Sequence, residues 1–188
     1  MPDLTILQGD TLAMLRTLPS NSTQCCVTSP PYWGLRDYSV EGQIGLEPMF
    51  AEWLEKMVTV FDEVRRVLRP DGVVWVNMGD SYAGSGGFAP DAPANQKRAA
   101  GDAAAWGRFN PASMDRMGAR KGAGRKSLGI LKPKDLIGQP WRLAFGLQDA
   151  GWWLRADCIW AKPNPMPESV TDRPTKSHEY VFLLAKSA

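Results

Sequence analysis

The alternation of apolar and polar positions predicts three helices and five strands. Apolar residues recur at spacings of three and four from Pro48 to Arg69, the strongest helical pattern in the chain. Weaker patterns of the same kind predict helices over residues 11–18 and 140–150. Short apolar or β-branched runs predict strands at residues 5–8, 24–28, 73–76, 152–160 and 180–184.

The order of these elements predicts an α/β fold. Strand, helix, strand, helix and strand follow one another within about 80 residues, which favours a parallel sheet joined by crossovers. Ligands of such sheets bind beyond the carboxyl ends of the strands. Three polar clusters fall at those ends, at Asp10, at 29–32 and at 77–80. The last two strands have no helix between them, which permits antiparallel pairing.

The composition is that of one globular domain spanning residues 1–188. Hydrophobic residues make up 44% of the chain and charged residues 22%. No secretory signal is visible, and no apolar run approaches the roughly 20 residues that span a bilayer. Cys25, Cys26 and Cys158 form no CxxC pair, and a single histidine completes no zinc pattern. We therefore expect a cytoplasmic protein with reduced thiols, no membrane association and no metal.

Charge is distributed unevenly along the chain. Residues 82–129 have no periodicity and are rich in Gly, Ala and Arg, which predicts a flexible basic insertion. Between residues 91 and 134, ten basic side chains stand against three acidic ones, so this segment carries +7 and the remainder −5. Such a block suits a polyanionic partner, whose phosphates would be neutralised by side chains such as Lys121, Arg125 and Lys126. A disordered, solvated loop is the alternative.

The second predicted strand runs into the turn Ser29-Pro30-Pro31-Tyr32. Proline lacks an N–H group, so the two prolines fix the backbone and leave the carbonyls of Ser29 and Pro30 as acceptors. Ser29 adds a side-chain oxygen and Tyr32 adds a flat aromatic face. A planar molecule with an exocyclic amine, such as a flipped nucleobase, fits this slot. A plain strand-ending turn and a ligand for a proline-binding domain are the alternatives.

The stretch Thr28–Trp33 resembles the catalytic motif of the amino-methylating DNA methyltransferases, which modify cytosine at N4 or adenine at N6. The resemblance implies an α/β, Rossmann-like sheet that depends on S-adenosyl-L-methionine, with DNA as the partner. Further stretches resemble this family in the family's own order, namely residues 8–10, 69–77, 160–165 and 173–180.

The resemblance implies a role for each residue of the turn. Ser29 and the Pro30 carbonyl would accept hydrogen bonds from the target amine, and Tyr32 would stack on the flipped base. The amine would attack the methyl group of S-adenosyl-L-methionine directly, with no covalent enzyme intermediate. Serine before the prolines favours cytosine N4, and adenine N6 remains open. Methylation at cytosine C5 needs a cysteine nucleophile, and no Pro-Cys pair exists here.

Outside the turn, the resemblance implies contacts to cofactor and substrate. Asp10 and Thr28 would touch the cofactor, although Asp10 is equally suited to cap the helix that follows it. Trp33, Trp160 and Lys162 would line the base pocket or the DNA strand. A core tryptophan and a solvated lysine are the alternatives for the last two. RNA and a protein glutamine amide are alternative methyl acceptors.

One part of the family pattern is absent from these 188 residues. The resemblance implies a Phe-x-Gly-x-Gly cofactor loop between a strand and a helix, and the glycine run at 83–87 precedes no predicted helix. The chain would then be half of a split enzyme, a truncated enzyme, or a non-catalytic DNA-binding subunit. In each case the sheet is incomplete and its edge exposed. We therefore expect association with a complementary polypeptide or with a second copy of the chain.

Overall fold

A computed structural model describes residues 4–82, 134–165 and 170–188 of the chain. The basic insertion predicted at 82–129 lies outside these residues except for Tyr82, and so do Lys121, Arg125 and Lys126. The described residues form three helices and four strands. In chain order these are α1 Thr11–Thr17, β1 Thr23–Thr28, α2 Phe50–Val67, β2 Leu68–Met78, α3 Gln139–Asp149, β3 Trp153–Ala161 and β4 His178–Ala185.

The strands form one mixed sheet in the order β1-β2-β4-β3. Strand β1 pairs with β2 in parallel, joined through α2, whereas β4 pairs antiparallel with both β2 and β3. The structure thus confirms an α/β fold and the antiparallel pairing of the last two strands. The register brings Asn77 opposite Val181, and Glu179 opposite Trp160.

One face of the sheet is packed against helices. Val74, Val76, Phe182 and Leu184 are all buried and belong to a single core that also contains the apolar stripe of α2 and residues of α3. The buried residues of α2 recur at spacings of three and four, as the sequence pattern predicts. At about 25 cal/mol per Å² of apolar surface removed from water, burial of this stripe stabilises the packing of α2 in the core.

The opposite face of the sheet is open in the described part of the chain. Val27 lies on this face and is 78% exposed. Its register partner Trp75, and Leu183 opposite Trp75 on β4, are only partly buried. A monomeric domain rarely leaves a row of apolar side chains across a sheet uncovered.

The strand predicted at residues 5–8 is wrong. Residues 4–8 form no strand in the structure, and Leu4 is 88% exposed. The physical reason is that a strand is stabilised by the backbone of a neighbour, and none of the described strands lies beside this segment. Regular structure begins only at Thr11, where Asp10 caps α1.

The sequence Pro70-Asp71-Gly72, which is typical of a turn, lies within β2 as an irregularity. The register with β1 shifts there, so that Thr23 faces Leu68 while Cys25 faces Val73. Gly72 is required at this point because a Cβ atom would stand 2.9 Å from the Arg69 carbonyl oxygen. After the irregularity, β2 runs regularly to Met78 and delivers its carboxyl end beside that of β1.

Candidate active site

A cavity of about 360 Å³ lies at the carboxyl ends of β1 and β2. The Ser29–Tyr32 turn forms its floor, the loop that follows forms one wall, and residues of β2 and β4 form another. Its lining consists of Ser29, Pro30, Pro31, Tyr32, Leu35, Arg36, Tyr38, Ile44, Asn77 and Glu179.

The Ser29–Tyr32 turn is held from beneath by the core. The indole Nε1 of Trp53, a fully buried residue of α2, donates to the Pro31 carbonyl at 3.0 Å. Gly45 approaches the turn so closely that a Cβ atom would lie 2.8 Å from the Tyr32 carbonyl oxygen, and its φ of +111° also favours glycine. The Pro31 carbonyl is therefore occupied, whereas no described residue donates to the Pro30 carbonyl.

Tyr32 is anchored through its hydroxyl group. The hydroxyl accepts from the Gly79 backbone N–H at 2.8 Å and shares a hydrogen bond with the Ser29 side chain. Burial raises the pKa of Tyr32, and these two hydrogen bonds offset the rise only in part. The side chain thus remains a neutral phenol at physiological pH, and its ring is fixed against β2. A Cβ atom on Gly79 would lie 3.3 Å from Tyr32 Cε2.

Asn77 and Glu179 form the wall contributed by β2 and β4. The Asn77 amide nitrogen donates to Glu179 Oε2 and to the Tyr180 carbonyl, each at 3.2 Å. The other Glu179 oxygen pairs with Lys162 Nζ. The Glu179 side chain is only 13% exposed, and its carboxylate is bonded through both oxygens. Glu179 was not among the residues predicted from the sequence.

The loop wall has a defined internal structure. The Gln43 carboxamide spans it, donating to the Arg36 carbonyl at 2.8 Å and accepting from the Tyr38 N–H at 2.7 Å. At the base of the loop, the Gly34 N–H donates to the Gly45 carbonyl at 2.7 Å. Side chains of the loop therefore face the cavity from a fixed backbone.

Trp33 is a core residue in the structure, which corrects its expected role as a substrate contact. It is 3% exposed, its indole Nε1 donates to the Glu47 carbonyl at 2.8 Å, and its ring packs edge-on against Phe50. The Gln139 carboxamide bonds both its backbone N–H and its carbonyl. Trp33 therefore has no surface to offer a base, and it fixes the turn before it instead.

Comparison with known proteins identifies the family. The profile of a family described as DNA methylase, the N6_N4_Mtase family, matches residues 23–188. The chain belongs to this DNA methylase family. The match includes the Ser29–Tyr32 turn and every strand of the described sheet.

Curated relatives of this DNA methylase chain are Type II methyltransferases. The chain is 51% identical to M.Cfr9I of Citrobacter freundii over 185 residues, which are 97% of this chain and 54% of the relative. It is 47% identical to M.SmaI of Serratia marcescens over 181 residues, or 96% of this chain and 55% of the relative. The chain therefore spans about half the length of the curated relatives it matches.

Solved structures share the fold at low sequence identity. The PvuII DNA methyltransferase, described as cytosine-N4-specific, superimposes with a TM-score of 0.55 and 18% identity over 95% of this chain and 48% of that one. A candidate DNA modification methylase of Thermus thermophilus, solved with S-adenosyl-L-methionine, gives a TM-score of 0.55 at 18% identity over 96% of this chain and 52% of that one. The described sheet therefore has the same fold as the corresponding part of these two proteins.

Four further residues predicted for the site, Asp10, Thr28, Trp160 and Lys162, are not among those that line the cavity. Asp10 caps α1, accepting from the Ala13 N–H at 2.9 Å, and Thr28 ends β1 directly before the turn. Trp160 is exposed and lies opposite Glu179 in the register, and Lys162 pairs with Glu179, which lines the cavity. The cofactor and substrate roles of these residues stay predictions.

Residues 80–82, which follow β2, contact residues 136–139 at the start of α3. The Asp80 carboxylate accepts from the backbone N–H groups of Gly138 and Gln139 at 3.0–3.1 Å and so caps α3. The Ile137 N–H donates to the Ser81 carbonyl at 2.9 Å, and a β-bridge joins residues 82 and 136. Strand β2 and helix α3 are therefore fixed to each other at these residues.

The described residues contain neither a metal centre nor a membrane span. No group of three or more His, Cys, Asp or Glu side chains among residues 4–82, 134–165 and 170–188 is placed to hold a metal ion. Within the same ranges no helix is long and apolar enough to cross a membrane.

Proposed function

We propose that this chain carries the methyl-acceptor site of a DNA methyltransferase that modifies the exocyclic amine of a flipped base. The observation that supports this proposal is the placement of the whole Ser29–Tyr32 turn on the floor of one cavity. The Pro30 carbonyl has no donor from the described residues, and the ring of Tyr32 is fixed by its hydroxyl. A base that lies on Tyr32 would bring its amine to the Ser29 and Pro30 oxygens.

The cavity residues fit the acceptor side of a methyl transfer. Hydrogen bonds from both amine N–H groups draw the nitrogen lone pair out of conjugation with the ring and make it a better nucleophile. S-adenosyl-L-methionine supplies a methyl group activated by a sulfonium. A bond forms between the amine nitrogen and the methyl carbon, the carbon–sulfur bond breaks with its electron pair left on sulfur, and one amine proton leaves to water. Asp10 and Thr28, the expected cofactor contacts, do not line the cavity.

Cytosine N4 is the favoured target, and adenine N6 is the second candidate. Serine precedes the two prolines, the variant that favours cytosine N4 in the family. The structurally similar PvuII enzyme is described as cytosine-N4-specific. Both amines would meet the same acceptors, so the base is assigned only by identifying the methylated nucleoside.

We further propose that a complementary polypeptide covers the open face of the sheet. Val27 and Trp75 on that face are incompletely buried, residues 4–8 are exposed without a strand partner, and the chain spans about half the length of its relatives. A polypeptide that carries the cofactor loop would cover these exposed apolar surfaces. Size-exclusion chromatography with light scattering tests this proposal. A stable monomer that binds the cofactor tightly would contradict it. A homodimer would mean that a second copy of the chain, and not a different polypeptide, covers this face.

The basic segment supports DNA as the partner. Lys121, Arg125 and Lys126 would neutralise phosphates without reading sequence, so binding should weaken steeply with salt. Replacing all three by glutamine should lower the slope of log affinity against log salt by about 2–3. An unchanged slope would mean that these three side chains do not contact DNA phosphates.

The deciding experiment is a transfer assay. The chain, alone and with the product of any neighbouring gene, is incubated with methyl-labelled S-adenosyl-L-methionine and DNA, and the labelled nucleoside is identified after digestion. We expect N4-methylcytosine, and we expect Ser29→Ala with Tyr32→Ala to abolish transfer. Ser187→Ala, whose hydroxyl bonds the Pro70 carbonyl far from the cavity, is the control. DNA binding without transfer in every pairing would favour a non-catalytic DNA-binding subunit.

A further inference from the structure

The orientation of the Asn77 side chain is fixed by the chemistry of its partners. One end of the amide contacts the Glu179 carboxylate and the Tyr180 carbonyl, both at 3.2 Å. Both groups only accept hydrogen bonds here, so the amide nitrogen, which only donates, must occupy that end. The carbonyl oxygen of Asn77 is therefore at the opposite end of the amide. Asn77 lines the same cavity as the Ser29–Tyr32 turn.

Glu179 holds this arrangement from β4. One of its oxygens accepts from Asn77 of β2, and the other pairs with Lys162, the residue that follows β3. It is largely shielded from water, where such hydrogen bonds are stronger than at the surface. Its carbon lies close to Gly79, at 3.6 Å from the position a Cβ atom would take, and so beside the anchor of Tyr32.

The sequence-based scheme gives the amine one acceptor for each of its two N–H groups. It assigns these groups to Ser29 and to the Pro30 carbonyl, and both residues line the cavity. A serine hydroxyl rotates and can also donate, so its oxygen is a less fixed acceptor than an amide carbonyl oxygen. An additional acceptor facing the cavity would complete the set.

We propose that the Asn77 carbonyl oxygen is an acceptor for the target amine and that Glu179 is the positioning residue that orients it. The inference rests on the proposed function, because it names the amine as the ligand. During transfer, positive charge develops on the amine nitrogen, and a preorganised acceptor dipole stabilises that charge. Glu179 acts through Asn77 and does not itself touch the base.

Two volume-matched substitutions separate positioning from packing. Glu179→Gln keeps an oxygen that accepts from Asn77, and Lys162, which is partly exposed, can turn to solvent. Glu179→Met fills the same space but offers no oxygen. We expect Glu179→Met to lower kcat about 10-fold or more and Glu179→Gln to stay within about threefold of the wild type. KM for DNA should change by less than about threefold in both, because the loss is in the transition state.

A double-mutant cycle tests whether Glu179 acts through Asn77. Asn77→Ala should lower kcat about 10- to 100-fold, and adding Glu179→Met should lower it no further. The control is Glu55→Gln on an exposed site of α2, which should leave kcat unchanged. Equal loss in Glu179→Gln and Glu179→Met, or multiplicative losses in the double variant, would overturn the proposal.

A readout that needs no activity separates this inference from the proposed function. The side-chain amide resonance of Asn77, assigned by its absence in Asn77→Ala, should shift and exchange faster with water in Glu179→Met and stay close to wild type in Glu179→Gln. An unaltered resonance in Glu179→Met overturns the positioning role even if transfer occurs. If the wild-type chain transfers no methyl group with any partner, the proposed function fails, and the amine-acceptor role of Asn77 fails with it; the amide resonance then still decides whether Glu179 orients the side chain.

Discussion

The side chain of Gln139 holds the backbone of Trp33 at both of its polar groups. Its Oε1 accepts from the Trp33 N–H at 3.0 Å, and its Nε2 donates to the Trp33 carbonyl at 3.3 Å and to Ser81 Oγ at 2.9 Å. Gln139 is 1% exposed, and Trp33 is buried as well. Helix α3 is thereby tied to the residue that follows the Ser29–Tyr32 turn.

Replacing Gln139 by alanine removes a hydrogen-bond partner from each of two buried backbone groups of Trp33. Each such group costs about 1–3 kcal/mol, and the space vacated by the side chain adds to the loss unless water fills it. We therefore expect Gln139→Ala to lower the free energy of unfolding by about 3 kcal/mol. Against a typical total of about 5–15 kcal/mol, this is a large fraction.

Urea unfolding, followed by tryptophan fluorescence and by circular dichroism, measures this loss. Gln148→Ala is the matched control, since Gln148 lies on the same helix but is exposed, and it should change the free energy of unfolding by less than about 0.5 kcal/mol. A loss below about 1 kcal/mol for Gln139→Ala would refute the argument. It would mean that water or a backbone shift satisfies Trp33 without the carboxamide.

Three other substitutions probe the site. Gly79→Ala would place a Cβ atom 3.3 Å from Tyr32 Cε2 and displace the ring, so labelled-methyl transfer should slow about tenfold; an unchanged rate would contradict this. Trp53→Phe removes the buried donor to the Pro31 carbonyl, so urea unfolding should show a free energy of unfolding lower by about 2 kcal/mol. The control Trp153→Phe, at a more exposed position, should leave the free energy of unfolding almost unchanged. Burial raises the pKa of Asp80, so the folded protein holds that proton more tightly than the unfolded chain. The stabilisation that protonated Asp80 contributes is fully present below its ordinary pKa of 3.8. It is lost as the pH rises through the raised pKa of the folded protein. Unfolding measured from pH 3 to 7 should therefore show wild type losing stability relative to Asp80→Asn as the pH rises, and the opposite trend would contradict this.

The elements that could be predicted from sequence are those whose stability is local. Helix α2 carries its own apolar stripe, so its pattern predicts both its existence and its buried face. The prolines of the Ser29–Tyr32 turn constrain their own backbone, so the carbonyl groups of the turn could be predicted as hydrogen-bond acceptors from the sequence. The last two strands follow one another without a helix, so their antiparallel pairing follows from connectivity.

The features that sequence reasoning missed depend on distant partners. Residues 5–8 have a strand-like composition, yet no described strand pairs with them. Trp33 adjoins the Ser29–Tyr32 turn, but its contacts with Glu47, Phe50 and Gln139 place it in the core. Glu179 meets Asn77 only because β4 pairs with β2 in one particular register, and no spacing along the chain indicates this. The signal in the sequence that could have indicated this contact is the polar residue at the end of each of these two strands.

The bonds from Asp80 to Gly138 and from Ser81 to Ile137 have a consequence for how this protein can change over evolutionary time. They fix the first and last points of the segment between residues 82 and 136 to each other, beside the cavity. Because the span between these points does not depend on the sequence between them, that segment can gain or lose residues without moving β2 or α3. The length of this segment can therefore change without moving the residues that line the cavity. Under the proposed role of the segment in DNA binding, its DNA contacts can change without altering the Ser29–Tyr32 turn.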